Sequence, residues 1–178
     1  MCVRTIELTV RRTEASAVTP GEFRHAGRRF ASGVTIVTTR LGEMVHGATV
    51  SAFCTLSIEP LQVMVSLGRA GRLAAMVGES GRFAVSILAA DQEAVSRAFA
   101  NSARPTSEAV FPDVESRAEA TGAPVLEGCL AFFDCWVTSA IESGDHTIFI
   151  GSVHAVGATD AHPLVYFDGG YRTLVTDD

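Results

Sequence analysis

The chain contains no lysine; all 14 of its Lys+Arg positions are arginine. A Walker-type phosphate loop needs a lysine to reach the outer phosphates, so that nucleotide chemistry is excluded. No GxGxxG turn leads from a strand into a helix, which leaves a Rossmann nicotinamide site unsupported, and the GxSxG elbow of serine hydrolases is missing too. The five histidines (His25, His46, His146, His154, His162) show neither HxH nor HExxH spacing, and no metal motif is expected. Paired carboxylates with an acid/base division of labour are likewise absent. The four cysteines (Cys2, Cys54, Cys129, Cys135) form no CxxC. Cys129 and Cys135 are read as sharing one strand face too far apart to pair, so free, mostly buried thiols in a reducing cytoplasm are expected. No apolar run approaches the roughly 20 residues of a bilayer span. Met1 to Val18 carries Arg4, Glu7, Arg11, Arg12 and Glu14, which interrupt any signal-peptide core. A net charge of -6 provides no electrostatic footprint for nucleic acid or an anionic membrane.

What is present reads as one globular domain. With 178 residues, 47% hydrophobic and 19% charged, the chain is long enough to bury a single core and too apolar to be disordered. An N-terminal extension over 1–18 and a domain over 19–178 are expected. Thr19-Pro20-Gly21-Glu22 is a capping box with proline at the first helical position, and Phe23, Ala26, Gly27 and Phe30 recur at helical spacing. Val34 to Thr39 is β-branched throughout and predicts a strand. A turn at Leu41-Gly42-Glu43 returns it as a second hairpin arm over Val45 to Phe53. Further strands are predicted over Leu61 to Leu67, with Pro60 at the entrance, and over Phe83 to Leu88. Helices are predicted within Gly68 to Gly81 and from Asp91, as N-cap, to Ala100. Asn101 to Gly128 reads as a long excursion with a functional or partner-packing role. Cys129 to Ile141 and Thr147 to Val156 make a hairpin, and Leu164 to Phe167 is a last short strand. About six or seven strands joined by tight turns, with three short helices, point to an antiparallel sheet that closes into a small barrel.

Three segments carry candidate chemistry. Gly144-Asp145-His146-Thr147 puts an acid and an imidazole at the mouth of a buried strand, where a turn with a satisfied histidine and a histidine aimed at a ligand both fit. In His46-Gly47-Ala48-Thr49-Val50-Ser51-Ala52-Phe53, small residues admit a ligand to the backbone and Thr49 and Ser51 add hydroxyls; a strand with a polar solvent face reads the same way. Ser66-Leu67-Gly68-Arg69-Ala70-Gly71-Arg72 is a strand end running into a helix start with two arginines, suited to a phosphate or to a solvated basic turn.

Taken together, the chain resembles the short-chain flavin reductases, the reductase components of two-component flavin monooxygenases. The resemblance runs in order through Phe30 to Thr39, His46 to Phe53, Leu56-Ser57-Ile58-Glu59-Pro60, Phe83 to Leu88, Gly144-Asp145-His146-Thr147, and Pro163 to Tyr171. It covers roughly Phe23 to Leu174. It implies a mainly β, antiparallel split β-barrel of the FMN-binding type with peripheral short helices, working as a homodimer with flavin near the subunit interface. The implied activity is hydride transfer from NADH or NADPH to FMN or FAD, with reduced flavin passed to a separate flavin-dependent monooxygenase. By position, Val34 and Thr35 would lie near the isoalloxazine, and Thr49, Val50, Ser51 and Ala52 along the ring edge and ribityl chain. Ser66, Leu67, Gly68 and Arg72 would hold the phosphate end with Phe99 beside it. His146 would meet the nicotinamide, and Tyr171 would lie close to the flavin.

Two departures from the family pattern bear on affinity. Many members carry asparagine where this chain has Ser51 and Ser86, and a Ser-Arg-Thr turn where it has Gly71-Arg72-Leu73. Shorter side chains lengthen ring-edge contacts or route them through water, and Arg72 becomes the main anion partner. Two rival readings of the same pattern are a split-barrel enzyme that keeps its flavin and acts on an organic substrate, and a non-catalytic flavin-binding accessory protein.

Overall fold

The capping box forms as read: the Glu22 N–H donates to Thr19 Oγ1 at 3.2 Å and the Thr19 N–H to the Glu22 carboxylate at 2.9 Å, opening α1 (Pro20–Gly27). The computed structural model describes residues 17–101, 111 and 114–174, so residues 1–16 of the expected extension, with Cys2, lie outside it. The periodicity that predicts α1 does not, however, bury it. None of its residues is buried, and Phe23 and the following Phe30 are 74% and 81% exposed.

β1 (Ser32–Gly33) leads into the hairpin of β2 (Thr35–Leu41) and β3 (Met44–Val50), closed by a two-residue turn with Leu41 opposite Met44. β2 is buried on both faces over Thr35–Thr39, which matches its unbroken β-branched run. The second arm does not run to Phe53 as expected. The chain leaves β3 at Val50, crosses Ser51 and Ala52, and begins β4 (Phe53–Ser57) at the opposite edge of the same sheet. A change of strand without a turn residue leaves no periodicity signal. A turn containing a cis Glu59–Pro60 bond then leads to β5 (Gln62–Gly68), α2 (Arg72–Ser80), closed by Gly81 in the left-handed region, and β6 (Arg82–Ile87). α3 (Glu93–Ala100) follows a 3-10 turn over Ala90–Gln92. Asp91 lies inside that turn rather than at a cap; it is Gln92 that accepts the Ala89 N–H, at 3.0 Å.

The excursion is shorter than its sequence suggests. β7 (Ser116–Ala118) pairs with β8 (Pro124–Leu126), and Ala123, Val125 and Leu126 have no exposed surface. Residues 123–126 therefore belong to the core, while Glu127 and Gly128 are exposed. β9 (Ala131–Ser143) and β10 (His146–Ala158) form the long hairpin through Gly144-Asp145. β11 (Val165–Phe167) turns at Asp168-Gly169, both at positive φ (51° and 79°), into β12 (Gly170–Arg172), a strand not expected. That geometry suits a two-residue Asp-Gly hairpin. Cys129 precedes β9 and packs with Phe132, while Cys135 packs in the other core with Phe83 and Phe149. The two thiols therefore do not share a strand face.

All pairings are antiparallel, and the main sheet runs β3-β2-β6-β9-β10-β5-β4. Since β3 and β4 are its two edges and only Ser51-Ala52 separates them in the chain, the sheet must roll up: it is a split barrel. α2 contributes Leu73, Ala74 and Val77 to the interior cluster with Val37, Val65 and Phe83. The outer cluster packs Phe99 of α3 and Phe111 against Ile36, Val45, Leu88 and Leu126. Among the described residues no helix is long and apolar enough to cross a membrane.

Candidate functional site

The two ends of the sheet meet at the seam but do not zip along it. Ser66 N–H donates to Ala52 O at 2.9 Å, Phe53 N–H to Ser51 O at 3.0 Å, and the Thr35 hydroxyl to Val50 O at 2.6 Å. Beyond these bonds the β3 side (Ala48–Val50) stands away from the β5 side (Ser66–Gly68), leaving a cleft of about 520 Å³. Its floor is Leu73 and Ala74 at the start of α2. Predicted site residues Thr49, Val50, Ser51, Ala52, Ser66, Leu67, Gly68 and His146 all line this one cleft.

One end of the cleft is the N-terminus of α2. Its N-cap is Gly71, which has no side chain to cap the helix, and Gly71 also lines the cleft. Uncapped first-turn N–H groups and the helix dipole together make an anion seat. The Gly71 N–H donates to Gly68 O at 2.9 Å, and a Cβ on Gly71 would approach that oxygen to 3.0 Å. The backbone is folded tightly here because no side chain intervenes.

The other wall carries the acid and the imidazole. Asp145 Oδ1 lies 2.8 Å from His146 Nδ1. Hydrogen bonding to His146 holds the Asp145 carboxyl below its ordinary range. An ionised carboxylate only accepts, so Nδ1 carries the proton in this contact. The side chain of His146 is 48% exposed. The turn is latched to the helix-entry loop by the Arg69 N–H, which donates to Asp145 O at 2.9 Å, and by an Arg69–Glu142 ion pair at 3.1 Å. Arg69 therefore braces the turn, whereas its sequence neighbourhood suggested an anion role.

Two smaller cavities open from the same seam. One of about 200 Å³ is lined by Val34, Thr49, Ser51, Ser96, Tyr166 and Tyr171, among others. Tyr171 Oη lies 2.8 Å from Ser96 Oγ, and its ring meets Tyr166 edge-on at 5.4 Å. The other, about 280 Å³, lies against α1 and shares Ser51 and Tyr166. Ser51 lines all three, and among the described residues its hydroxyl and that of Ser66 have no hydrogen-bond partner. Thr49 differs, since its hydroxyl donates to Ser96 O at 2.7 Å.

Three predicted residues are not in these walls. Thr35 is buried and spends its hydroxyl on the Val50 carbonyl, so it sets the seam from behind. Arg72 opens α2 next to Gly71 but is itself outside the lining. Phe99 is a core residue: it stacks edge-on with Phe111 at 5.1 Å and fills the space left by Gly47. Helical periodicity alone could not say which face of α3 turns inward. Ser86 also lies away from the cleft, buried and accepting the Leu126 N–H at 3.1 Å. The sequence reading missed Asp145 as the partner of His146, the α2 floor, and Ser96 and Tyr166. The glycine at a helix N-cap was the one available signal for the floor.

Comparison with known proteins gives a consistent picture. The family described as "Flavin reductase like domain" matches residues 27–175. The chain is 41% identical over 160 residues to an NADH-dependent flavin reductase of a Rhodococcus species, covering 88% of each protein. It is 40% identical to the reductase component of 4-hydroxyphenylacetate 3-monooxygenase of Thermus thermophilus, covering 86% of this chain and 95% of that protein. Among solved structures it is similar to the flavin reductase PheA2 in its native state, with a TM-score of 0.81 and 36% identity over 89% of this chain and all of that one.

Proposed function

The chain belongs to the flavin reductase family, and from that premise we propose that it uses NADH to reduce FMN or FAD in the Ser51 cleft and passes reduced flavin to a partner monooxygenase. The observation that carries the site assignment is the cleft itself, which joins a capless helix start, an apolar floor and an Asp145-held imidazole. These residues fit a flavin. A mostly apolar cleft of this size with a few convergent polar groups accepts a flat ring system, and the α2 N-terminus accepts its phosphate. Flavin, when bound there, would supply the hydride acceptor.

The chain's own residues do the positioning on which such a transfer depends. Gly68 and Gly71 bring backbone close to the phosphate, with Arg72 adding charge alongside. Ser51 and Ser66 offer uncommitted hydroxyls to polar edges of the flavin. Thr35 and Tyr171 act through Val50 and Ser96, keeping the β3 wall in place. His146 holds the nicotinamide side, its ring angle set by Asp145. It orients the reactant and is not required to transfer a proton.

The same reading includes a homodimer. Edge strand β4 and its turn present Leu56, Ile58 and Leu61 to solvent at 45%, 83% and 56% exposure, an unpaired apolar edge of the kind that proteins cover. It also places the protein in a reducing cytoplasm, in keeping with the free thiols of Cys54, Cys129 and Cys135.

The test is anaerobic stopped-flow reduction of FMN, FAD and riboflavin, with NADH and NADPH in turn. NADH is expected to bleach FMN or FAD; failure of both nicotinamides with all three flavins sinks the proposal. His146→Ala is expected to slow the nicotinamide-dependent step while leaving flavin affinity in place. An equal loss of both assigns His146 to structure alone.

A further inference from the structure

Arg69 does not line the cleft, yet its contacts bear on both of the cleft's polar ends. From Gly68, the last residue of β5, to Gly71, the N-cap of α2, the chain reads Gly-Arg-Ala-Gly, and Gly68, Ala70 and Gly71 line the cleft. A turn of this composition has much conformational freedom to lose. Its own closing bond, from the Gly71 N–H to Gly68 O at 2.9 Å, is local. Arg69 alone of the four has a side chain long enough to tie the turn to another element.

Both of its ties run to the imidazole side. The Arg69 N–H donates to Asp145 O at 2.9 Å, one rung beyond Gly68–His146, the last pair of the β5–β10 ladder. Its guanidinium reaches past the start of β10 to Glu142 of β9 at 3.1 Å, and Glu142 is itself the register partner of Thr147. One residue thus holds the helix start against the turn that carries His146. Hydrogen bonding to His146 is the main cause of the low Asp145 carboxyl, and the charge of Arg69 lowers it further. The guanidinium is therefore spent on the hairpin and is not offered to a ligand.

We infer that Arg69, pinned by Glu142, is a positioning residue that couples the anion seat at α2 to the imidazole of His146. It touches neither reactant; it keeps the two ends of the cleft at a fixed spacing. This rests on the flavin reductase reading for the part His146 plays. Holding a glycine-flanked turn in its binding shape lowers the ordering cost of taking up a phosphate. Fixing the imidazole turn with the same residue preserves the geometry of hydride transfer. The side chains of Arg69 and Glu142 are 54% and 72% exposed, and exposed pairs contribute modestly, so the expected effects are about two- to fivefold.

The decisive variant is Glu142→Gln. An arginine that bound the anion directly would be freed by it and FMN would tighten; a positioning arginine loses its anchor and FMN weakens. FMN and riboflavin titrations, and single-turnover reduction of FMN-loaded protein by NADH, compare the native protein with Glu142→Gln, Arg69→Met, Arg69→Lys and the Glu142→Gln/Arg69→Met pair. Glu142→Gln and Arg69→Met are each expected to weaken FMN about two- to fivefold and to slow reduction by a similar factor, with riboflavin affinity nearly unchanged. Arg69→Lys keeps the charge without the planar fork and should fall between Arg69→Met and the native protein. Added to Arg69→Met, Glu142→Gln should cost nothing more.

The inference is overturned if Glu142→Gln leaves FMN affinity unchanged or tightens it, or if FMN weakens while reduction keeps its native rate. Strictly additive losses in the pair overturn it too, as does riboflavin weakening in parallel with FMN. A native protein that binds FMN but is bleached by no nicotinamide refutes the enzymatic reading instead, and the FMN titrations still decide whether Arg69 positions the seat.

Discussion

Gly151→Ala tests whether the barrel interior is packed as described. Gly151 sits in β10 beside a register shift, facing the interior cluster. A Cβ built there would lie 2.6 Å from Phe83 Cζ, 2.7 Å from Cε1 and 2.8 Å from Cys135 Cβ. Carbon atoms pack at about 3.5–4.0 Å, so the neighbours must retreat by roughly 1 Å. Phe83 has no exposed surface and is enclosed by Val37, Val65, Val77 and Val85, so its ring has no room to swing. The Cys135 contact is a Cβ fixed to the backbone of β9. Overpacking costs typically about 1–3 kcal/mol, and both features put this site at the upper end, near 3 kcal/mol. With a urea m-value of about 2 kcal/mol/M, the midpoint should drop by about 1.5 M. The assay is urea unfolding of flavin-free protein at one fixed concentration, since any association would add to the apparent stability. Phe83→Leu removes the two clashing ring atoms. The double variant should therefore be more stable than the two single losses summed, by at least about 1 kcal/mol. A Gly151→Ala loss under about 0.5 kcal/mol, or strict additivity with Phe83→Leu, would refute this packing.

Other positions give outcomes of different sign. Gly78 is exposed in α2, and a Cβ there would meet nothing within 4 Å, so Gly78→Ala should raise stability by about 0.5–1 kcal/mol in the same unfolding assay. Gly71→Asp supplies the cap that α2 lacks but sets a carboxylate in the anion seat; titration should show FMN weakened at least about tenfold and riboflavin far less. Burial pushes the Cys135 thiol up to about 12 and raises Cys129 as well, whereas Cys54 is exposed. Peptide mapping after brief native alkylation at pH 8 should find Cys54 modified and Cys129 and Cys135 protected until the protein unfolds. The Cys135 thiol ionises near 9.0 when unfolded and about 12 when folded. Its contribution to stability is thus complete below pH 9 and lost as pH rises through that window, and Cys135→Ala should flatten the alkaline decline in unfolding free energy.

The parts of the fold legible in the sequence were those with a local cause. The β-branched run at Val34 to Thr39, the Gly144-Asp145 turn and the Thr19–Glu22 capping box each specify their conformation from neighbouring residues alone. Most of the cleft was legible too, because its walls come from three short segments whose side chains face it. What stayed hidden depends on distant partners. Nothing local to Ser51-Ala52 reveals that the chain changes edges there, since the bond that fixes it comes from Ser66. Phe99 was misplaced because the face α3 buries is set by Gly47, 52 positions earlier in the numbering. The role of Asp145 required the imidazole's position, and the exposed face of α1 required knowing that no core reaches it.

The two residues that carry the chain from one edge of the sheet to the other also make a mechanical joint. Between β3 and β5 the barrel lacks rungs, and a ligand in the gap touches both sides at once. Occupancy and cohesion of the barrel are therefore linked: flavin at one hundred times its dissociation constant would add about 2.7 kcal/mol to the folded state. Amide exchange at Val50 to Phe53 and along Ser66 to Gly68 should slow as flavin is added and quicken as it leaves. Each delivery of a reduced flavin would loosen the seam, so a carrier of this design alternates between a stitched and an unstitched barrel with every turnover.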